Sequence, residues 1–216
     1  MKNYAFITVH AKNDWQEISK TILDEMHRSG LWEKLDRLFV FTDGNSWFTT
    51  EKTELFKKAE SDFEFPAIEK IKEIADAAEE NIRILYLHTK GSSKNQLAPD
   101  KDNMNDWFKL MLYATVSMHN VCFKALESHD ACGANYSECK GLHFPHHFSG
   151  NFWWANSNYI KTLPPVSRTI PYSGFHERHN AEFWIGENKN GKMYSIINSN
   201  VNHYHQRYPE QLYREF

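Results

Sequence analysis

Apolar residues follow two rhythms along this chain. Short, mainly apolar runs cover residues 4–9, 38–41 and 82–87, interrupted only by Thr8 and Arg83. Each is long enough for a strand buried on both faces and too short for a helix of ordinary length. Between them the spacing widens to three and four: Trp15, Ile18, Ile22 and Met26 make one helical stripe, and Ile68, Ile71, Ala75 and Ala78 make another. Asp14 and Glu17 have the spacing of a capping box at the start of the first helix, Gly30 marks its stop, and Pro66 opens the second. Asp43-Gly44-Asn45 is a turn after the second strand. Strand and helix alternate, so the pattern predicts an α/β fold with a mostly parallel sheet flanked by helices.

The second half is less regular. Residues 93–105 are polar and predict a loop, after which Trp107, Leu110, Met111, Ala114, Met118, Val121, Cys122 and Ala125 predict one long helix. Residues 130–135 approach a strand, a short helical stretch runs from Asn156 to Leu163-Pro164-Pro165, and residues 193–197 predict another strand. Residues 182–186 fit a helical turn or a strand, and residues 198–208 form a polar, aromatic tail.

Composition narrows the function. A chain of 216 residues with 41% hydrophobic content can bury one good core, and one domain over residues 1–216 is expected. The formal charge of −3 and the lack of a basic run argue against nucleic acid as a partner. Cys122, Cys132 and Cys139 are odd in number and lack CxxC spacing, which weakens disulfide and zinc-ribbon readings and favours a reducing cytoplasm. The N-terminal apolar run is too short for a signal-peptide core or a membrane span.

Candidate chemistry gathers at predicted strand ends, where parallel sheets bind ligands. His10, Asp43 and His88 all fall there. In His88-Thr89-Lys90-Gly91, backbone N–H groups, a hydroxyl and an ammonium suit an anion, although lysine and glycine also suit an ordinary surface turn. Trp153 and Trp154, preceded by Ser149, Gly150 and Asn151, offer flat apolar area beside hydrogen-bonding groups, as a sugar ring requires. Alternation along a strand would send one indole to the core and the other to the site. Glu182 is a carboxylate inside an apolar run, either structurally paired or catalytic. His203 and His205 have a spacing that suits metal or phosphate, and one that chance supplies in a chain with 12 His. Pro145 argues against a helical metal pair of His143 and His147, and Asp100-Lys101-Asp102 sits in a polar loop as a solvated charge run would.

Five segments together resemble small GT-A type glycosyltransferases of giant algal viruses and of bacterial surface-polysaccharide gene clusters. They are Tyr86-Leu87-His88-Thr89-Lys90-Gly91, Asp106-Trp107, Asp130-x-x-Gly133-x-Asn135, His147-Phe148-Ser149-Gly150-Asn151-Phe152-Trp153-Trp154-Ala155 and Ala181-Glu182-Phe183-Trp184-Ile185-Gly186. The resemblance implies a GT-A, Rossmann-like domain that transfers a sugar from a nucleoside diphosphate donor, UDP-linked, to a glycan or other hydroxyl acceptor, with retention favoured over inversion. It assigns the nucleotide to residues 1–105, with His10, His88, Thr89, Lys90 and Gly91 on the donor, and the sugar and acceptor to residues 106–216. There Asn135, Ser149, Gly150, Trp153 and Trp154 would bind, with Glu182 and Asn151 at the reacting centre. It also implies Mn²⁺ or Mg²⁺, yet His-Thr-Lys stands where such enzymes carry Asp-x-Asp. Either His88 with His203 or His205 holds the ion, or Lys90 replaces it. Two rival readings are a metal-dependent hydrolase built on His143, His147, His203 and His205, and a non-catalytic carbohydrate-binding domain.

Overall fold

A computed structural model describes residues 1–45, 48–95, 97–137, 146–169 and 176–214. The three apolar runs form β1 (Asn3–Val9), β2 (Arg37–Thr42) and, after a further strand β3 (Thr53–Lys57), β4 (Arg83–His88). The helical stripes form α1 (Trp15–Arg28), continued after a break by the single turn α2 (Leu31–Lys34), and α3 (Phe65–Ala77). Gly30 makes the break with φ +74°, a left-handed conformation that glycine adopts without strain.

The second half supplies α4 (Lys101–Leu112), α5 (His119–Ala125), β5 (Ala131–Ala134) and the short ribbon of β6 (Tyr136–Ser137) and β7 (His147–Phe148). After these come β8 (Trp153–Asn156), α6 (Ser157–Ile160), α7 (His179–Phe183) and β9 (Met193–Ile197). The central sheet has seven strands in the order β3-β2-β1-β4-β8-β5-β9. β3, β2, β1 and β4 are parallel, β8 runs antiparallel to both of its neighbours, and β5 is parallel to β9. The α/β fold with a mostly parallel, helix-flanked sheet is as the periodicity predicts.

Alternation along the strands divides the apolar residues between two cores. Ala5, Ile7 and Val9 meet α1 and α4 on one face, while Tyr4 and Phe6 meet α3 on the other. Trp153 and Trp154 obey the same rule, each fully buried in a different core.

Three expectations need correction. The predicted loop over 93–105 becomes helical at Lys101, because the Lys101 ammonium reaches the Asp14 carboxylate (2.7 Å) and the Gly91 carbonyl (3.2 Å) in a sealed position. Asp14 accordingly makes no capping bond to α1. The long helix is interrupted by a π-turn, Tyr113–Ser117, whose Thr115 carbonyl accepts the Trp154 indole N–H (2.7 Å). Of the two readings of residues 182–186 the helical one holds: they finish α7 and add a 3₁₀ turn, Trp184–Gly186.

Candidate functional site

The parallel strands β1 and β4 end side by side, and the turns beyond their carboxyl ends form the wall of a cleft of about 140 Å³. His10 succeeds β1, His88 closes β4, and Thr89, Lys90, Gly91 and Ser92 turn away beneath them. Phe63 and Glu64 enter from the segment before α3, Arg178 and Glu182 from α7 and its approach, and Tyr204 from the tail. A larger hollow of about 510 Å³ lies at the opposite, amino-terminal end of the sheet, between Tyr4, Arg37 and the end of α3.

Internal bonds hold the turn after β4. Thr89 Oγ1 accepts the His10 backbone N–H (2.9 Å), Ser92 Oγ donates to the His10 carbonyl (3.1 Å), and Asn13 Nδ2 donates to the Ser92 carbonyl (2.7 Å). Thr89 therefore ties β1 to β4, and Gly91 makes the bend at φ +86°. Lys90 is what this turn leaves over. Its ammonium lies 4.0 Å from the centre of the Trp107 ring, and it has no hydrogen bond or ion pair to a described residue. Burial lowers its pKa from the ordinary lysine value, opposed by the charges of Glu182 and Glu64 and reinforced by Arg178. The exposed Arg178 guanidinium likewise has no ion pair to a described residue, while Lys94 is neutralised by Asp100 at 2.9 Å. Two cations without an ion-pair partner among the described residues, on one cleft, are available to an anion.

The floor is different. Glu64 is buried, and its Oε2 accepts hydrogen bonds from the Tyr86 hydroxyl (2.9 Å) and from Asn151 Nδ2 (2.6 Å). Burial drives the Tyr86 pKa well above its usual value, which keeps that hydroxyl a donor. Asn151 Oδ1 in turn accepts the Trp153 indole N–H at 2.8 Å, so the orientation of the amide is fixed. His88 Nε2 donates to the Gly150 carbonyl (2.9 Å) and lies 4.0 Å from Glu64 Oε1. Burial, then Lys90, lowers the His88 pKa to about 4, so the ring is neutral at pH 7 and its Nδ1 carries a lone pair. Beside this floor, His10 Nδ1 stands 3.4 Å from Asp43 Oδ2, which also meets the buried Lys58 ammonium at 3.2 Å. Burial and Lys58 lower the His10 pKa, and the Ala11 N–H and Lys58 outweigh burial to lower that of Asp43.

Residues 33–208 match the model of a family described as a domain of unknown function (DUF8361). The chain belongs to that family. The DUF8361 region holds every cleft residue named above except His10, and it begins before β2. No curated protein matches the chain. Among solved structures, the bifunctional IspDF from Campylobacter jejuni is 8% identical with a TM-score of 0.44, over 90% of this chain and 49% of that one. This chain thus spans about half of that protein's length. Rv0371c from Mycobacterium tuberculosis H37Rv is 9% identical with a TM-score of 0.43, over 91% of this chain and 89% of that one.

Within the DUF8361 region the remaining candidates separate. Glu182 is half-buried and opens on the cleft, but Trp153 and Trp154 are sealed in the two cores, so neither indole presents a face to a sugar. Asn151 is fully buried and anchors Glu64 without reaching the cleft itself. Gly150 packs under α4: an added Cβ would lie 2.3 Å from Met111 Sδ. Asn135 and Ser149 line a separate hollow with residues 198–201. His203 is buried with its ring stacked on Trp107, and its Nε2 takes bonds from Asn135 Nδ2 (3.1 Å) and Ser199 Oγ (2.8 Å). That lone pair is occupied, and His205 is exposed on the tail. His88, His203 and His205 therefore do not make a metal centre, and among the described residues no three His, Cys, Asp or Glu side chains converge to hold an ion. His147 packs against the Phe183 ring, while His143 lies outside the described residues.

Sequence reasoning missed Glu64, Phe63, Arg178 and Tyr204. Glu64 directly precedes Phe65-Pro66, where an acid is unremarkable at a helix start, and only the packing of α3 across β1 and β2 brings it to His88. Tyr204 sits in the aromatic tail, the one sequence signal that pointed towards it.

Proposed function

We propose that the protein is a glycosyltransferase, moving a sugar from a nucleoside diphosphate donor, UDP-linked, to a hydroxyl acceptor with retention of configuration. The observation that carries this reading is a cleft at the carboxyl ends of β1 and β4 that gathers Lys90 and Arg178, neither ion-paired to a described residue, with the carboxylates of Glu182 and Glu64. As the glycosidic C–O bond breaks, the departing diphosphate gains negative charge, and fixed cations favour that change over the ground state. Glu182, on the far wall, is the carboxylate available to an oxocarbenium-like centre. The described side chains offer no triad for Mn²⁺ or Mg²⁺, so charge neutralisation is assigned to Lys90 and Arg178. The aromatic contact to the donor passes from the tryptophans to Tyr204, which is 54% exposed at the rim, and Phe63 opposite.

The test is a thermal-shift panel of UDP-, GDP-, CMP- and dTDP-linked ligands with and without Mn²⁺, followed by calorimetry. One nucleotide class is expected to raise the melting point selectively. Lys90→Ala should weaken its affinity by about tenfold or more, as loss of a charge-assisted contact does. No shift with any nucleotide, or unchanged affinity in the variant, defeats the reading.

A further inference from the structure

The backbone around the cleft floor is strained at two points that converge on one carboxylate. Phe63, immediately before Glu64, has φ +48° and ψ −121°, and Asn151, which bonds Glu64 Oε2 at 2.6 Å, has φ +62°. Positive φ at residues with a side chain costs energy, which a fold tolerates where something must be held in place. Here that something is Glu64. Both hydrogen bonds it accepts from the described residues go to Oε2. Oε1 has no hydrogen-bond donor from the described residues, yet it is not sealed from solvent: it opens into the cleft 4.0 Å from His88 Nε2. His88 Nδ1 is also open, with no partner among the described residues, and since Nε2 carries the proton given to Gly150, Nδ1 is an acceptor. The floor thus presents two hydrogen-bond acceptors, while the rim presents two cations.

From this polarity we infer that Glu64 Oε1 accepts a hydrogen bond from one hydroxyl of the donor's sugar, with a second hydroxyl donating to His88 Nδ1, making Glu64 a specificity-determining residue. The inference rests on the glycosyl-transfer reading for the identity of the anion, but its chemistry is more general: the ligand is a polyol joined to a phosphate. Its phosphate lies on Lys90 and Arg178, and its hydroxyls point inward. A free phosphate or nucleotide would satisfy the rim alone and leave the floor to water.

Glu64→Gln isolates the effect. A glutamine carbonyl can accept the same two bonds from Tyr86 and Asn151, so the open position changes from acceptor to N–H donor while the floor is kept, and the lost charge near Lys90 acts on both classes of ligand alike. Affinities are measured by calorimetry for UDP-glucose, GDP-mannose and dTDP-glucose against UDP, GDP and dTDP, with melting points recorded for both proteins. The expected result is that E64Q weakens the sugar nucleotide that binds by about tenfold or more and leaves its nucleoside diphosphate within about twofold. In parallel, the wild type should lose a similar factor towards one monodeoxy analogue of that sugar nucleotide, a measurement that needs no variant. Equal weakening of both ligands, no weakening of either, or indifference of the wild type to every deoxy analogue overturns the inference. If no nucleotide binds the wild type, the glycosyl-transfer reading fails. Glu64 is then decided with glucose 1-phosphate against inorganic phosphate, where the same selective loss supports it and its absence overturns it.

Discussion

Gly150 shows how much one residue can carry. Its carbonyl holds the His88 proton at 2.9 Å, its φ is +86°, and a methyl group at its α-carbon would lie 2.3 Å from Met111 Sδ and 3.0 Å from the Trp107 ring. Gly150→Ala should therefore destabilise the fold by about 2–4 kcal/mol, combining backbone strain with overpacking. Denaturant unfolding checks this, and a loss below about 1 kcal/mol would mean that α4 yields to the methyl group. The sequence motif around Gly150 is legible, but its meaning was not. Asn151, Trp153 and Trp154 read as sugar-binding types because amides and indoles do bind sugars, yet the same groups satisfy one another when buried, as the Trp153 N–H on Asn151 Oδ1 does. Side-chain type tells what a residue can bond; only the fold tells which partner arrives first.

The elements were legible where periodicity is clean and opaque where tertiary contacts decide. β1, β2, β4, α1 and α3 follow their apolar spacing. β3 does not, because an edge strand with mostly exposed residues has no continuous apolar run to announce it. The start of α4 was hidden for a related reason, since it depends on the Lys101 to Asp14 pair between segments 87 residues apart. Both side chains are nearly sealed, at 4% and 12% exposure. Lys101→Met should cost about 3 kcal/mol by leaving a buried carboxylate without its cation, whereas Asp14→Asn combined with Lys101→Met should cost less than Lys101→Met alone. A double-mutant cycle in urea reads the difference, and a double variant no more stable than Lys101→Met would show that the pair does not act as a unit.

For the whole molecule, the buried neutral histidine sets a response to acid. The unfolded chain protonates His88 near its ordinary 6.5, whereas the native protein resists until about 4. Between those values the unfolded state binds more protons, so stability falls as pH drops through the window, by about 3 kcal/mol at its lower end from this residue. The lowered pKa values of His10, His119 and His203 act in the same direction. Urea midpoints at pH 7 and at about pH 4.5 should show the loss, and His88→Gln should flatten it; an unchanged slope in that variant would place the effect elsewhere. Another molecular property comes from the bond between Glu64 and Asn151, whose residues are 87 apart in sequence. The two halves of the chain each own one end of it. A nascent or partly denatured chain with only its first four strands in place would carry Glu64, His88 and Lys90 but neither Asn151 to fix the carboxylate nor Arg178 to complete the rim, so the discrimination proposed for Glu64 would belong to the finished molecule, acquired when β8 docks and lost as soon as it leaves.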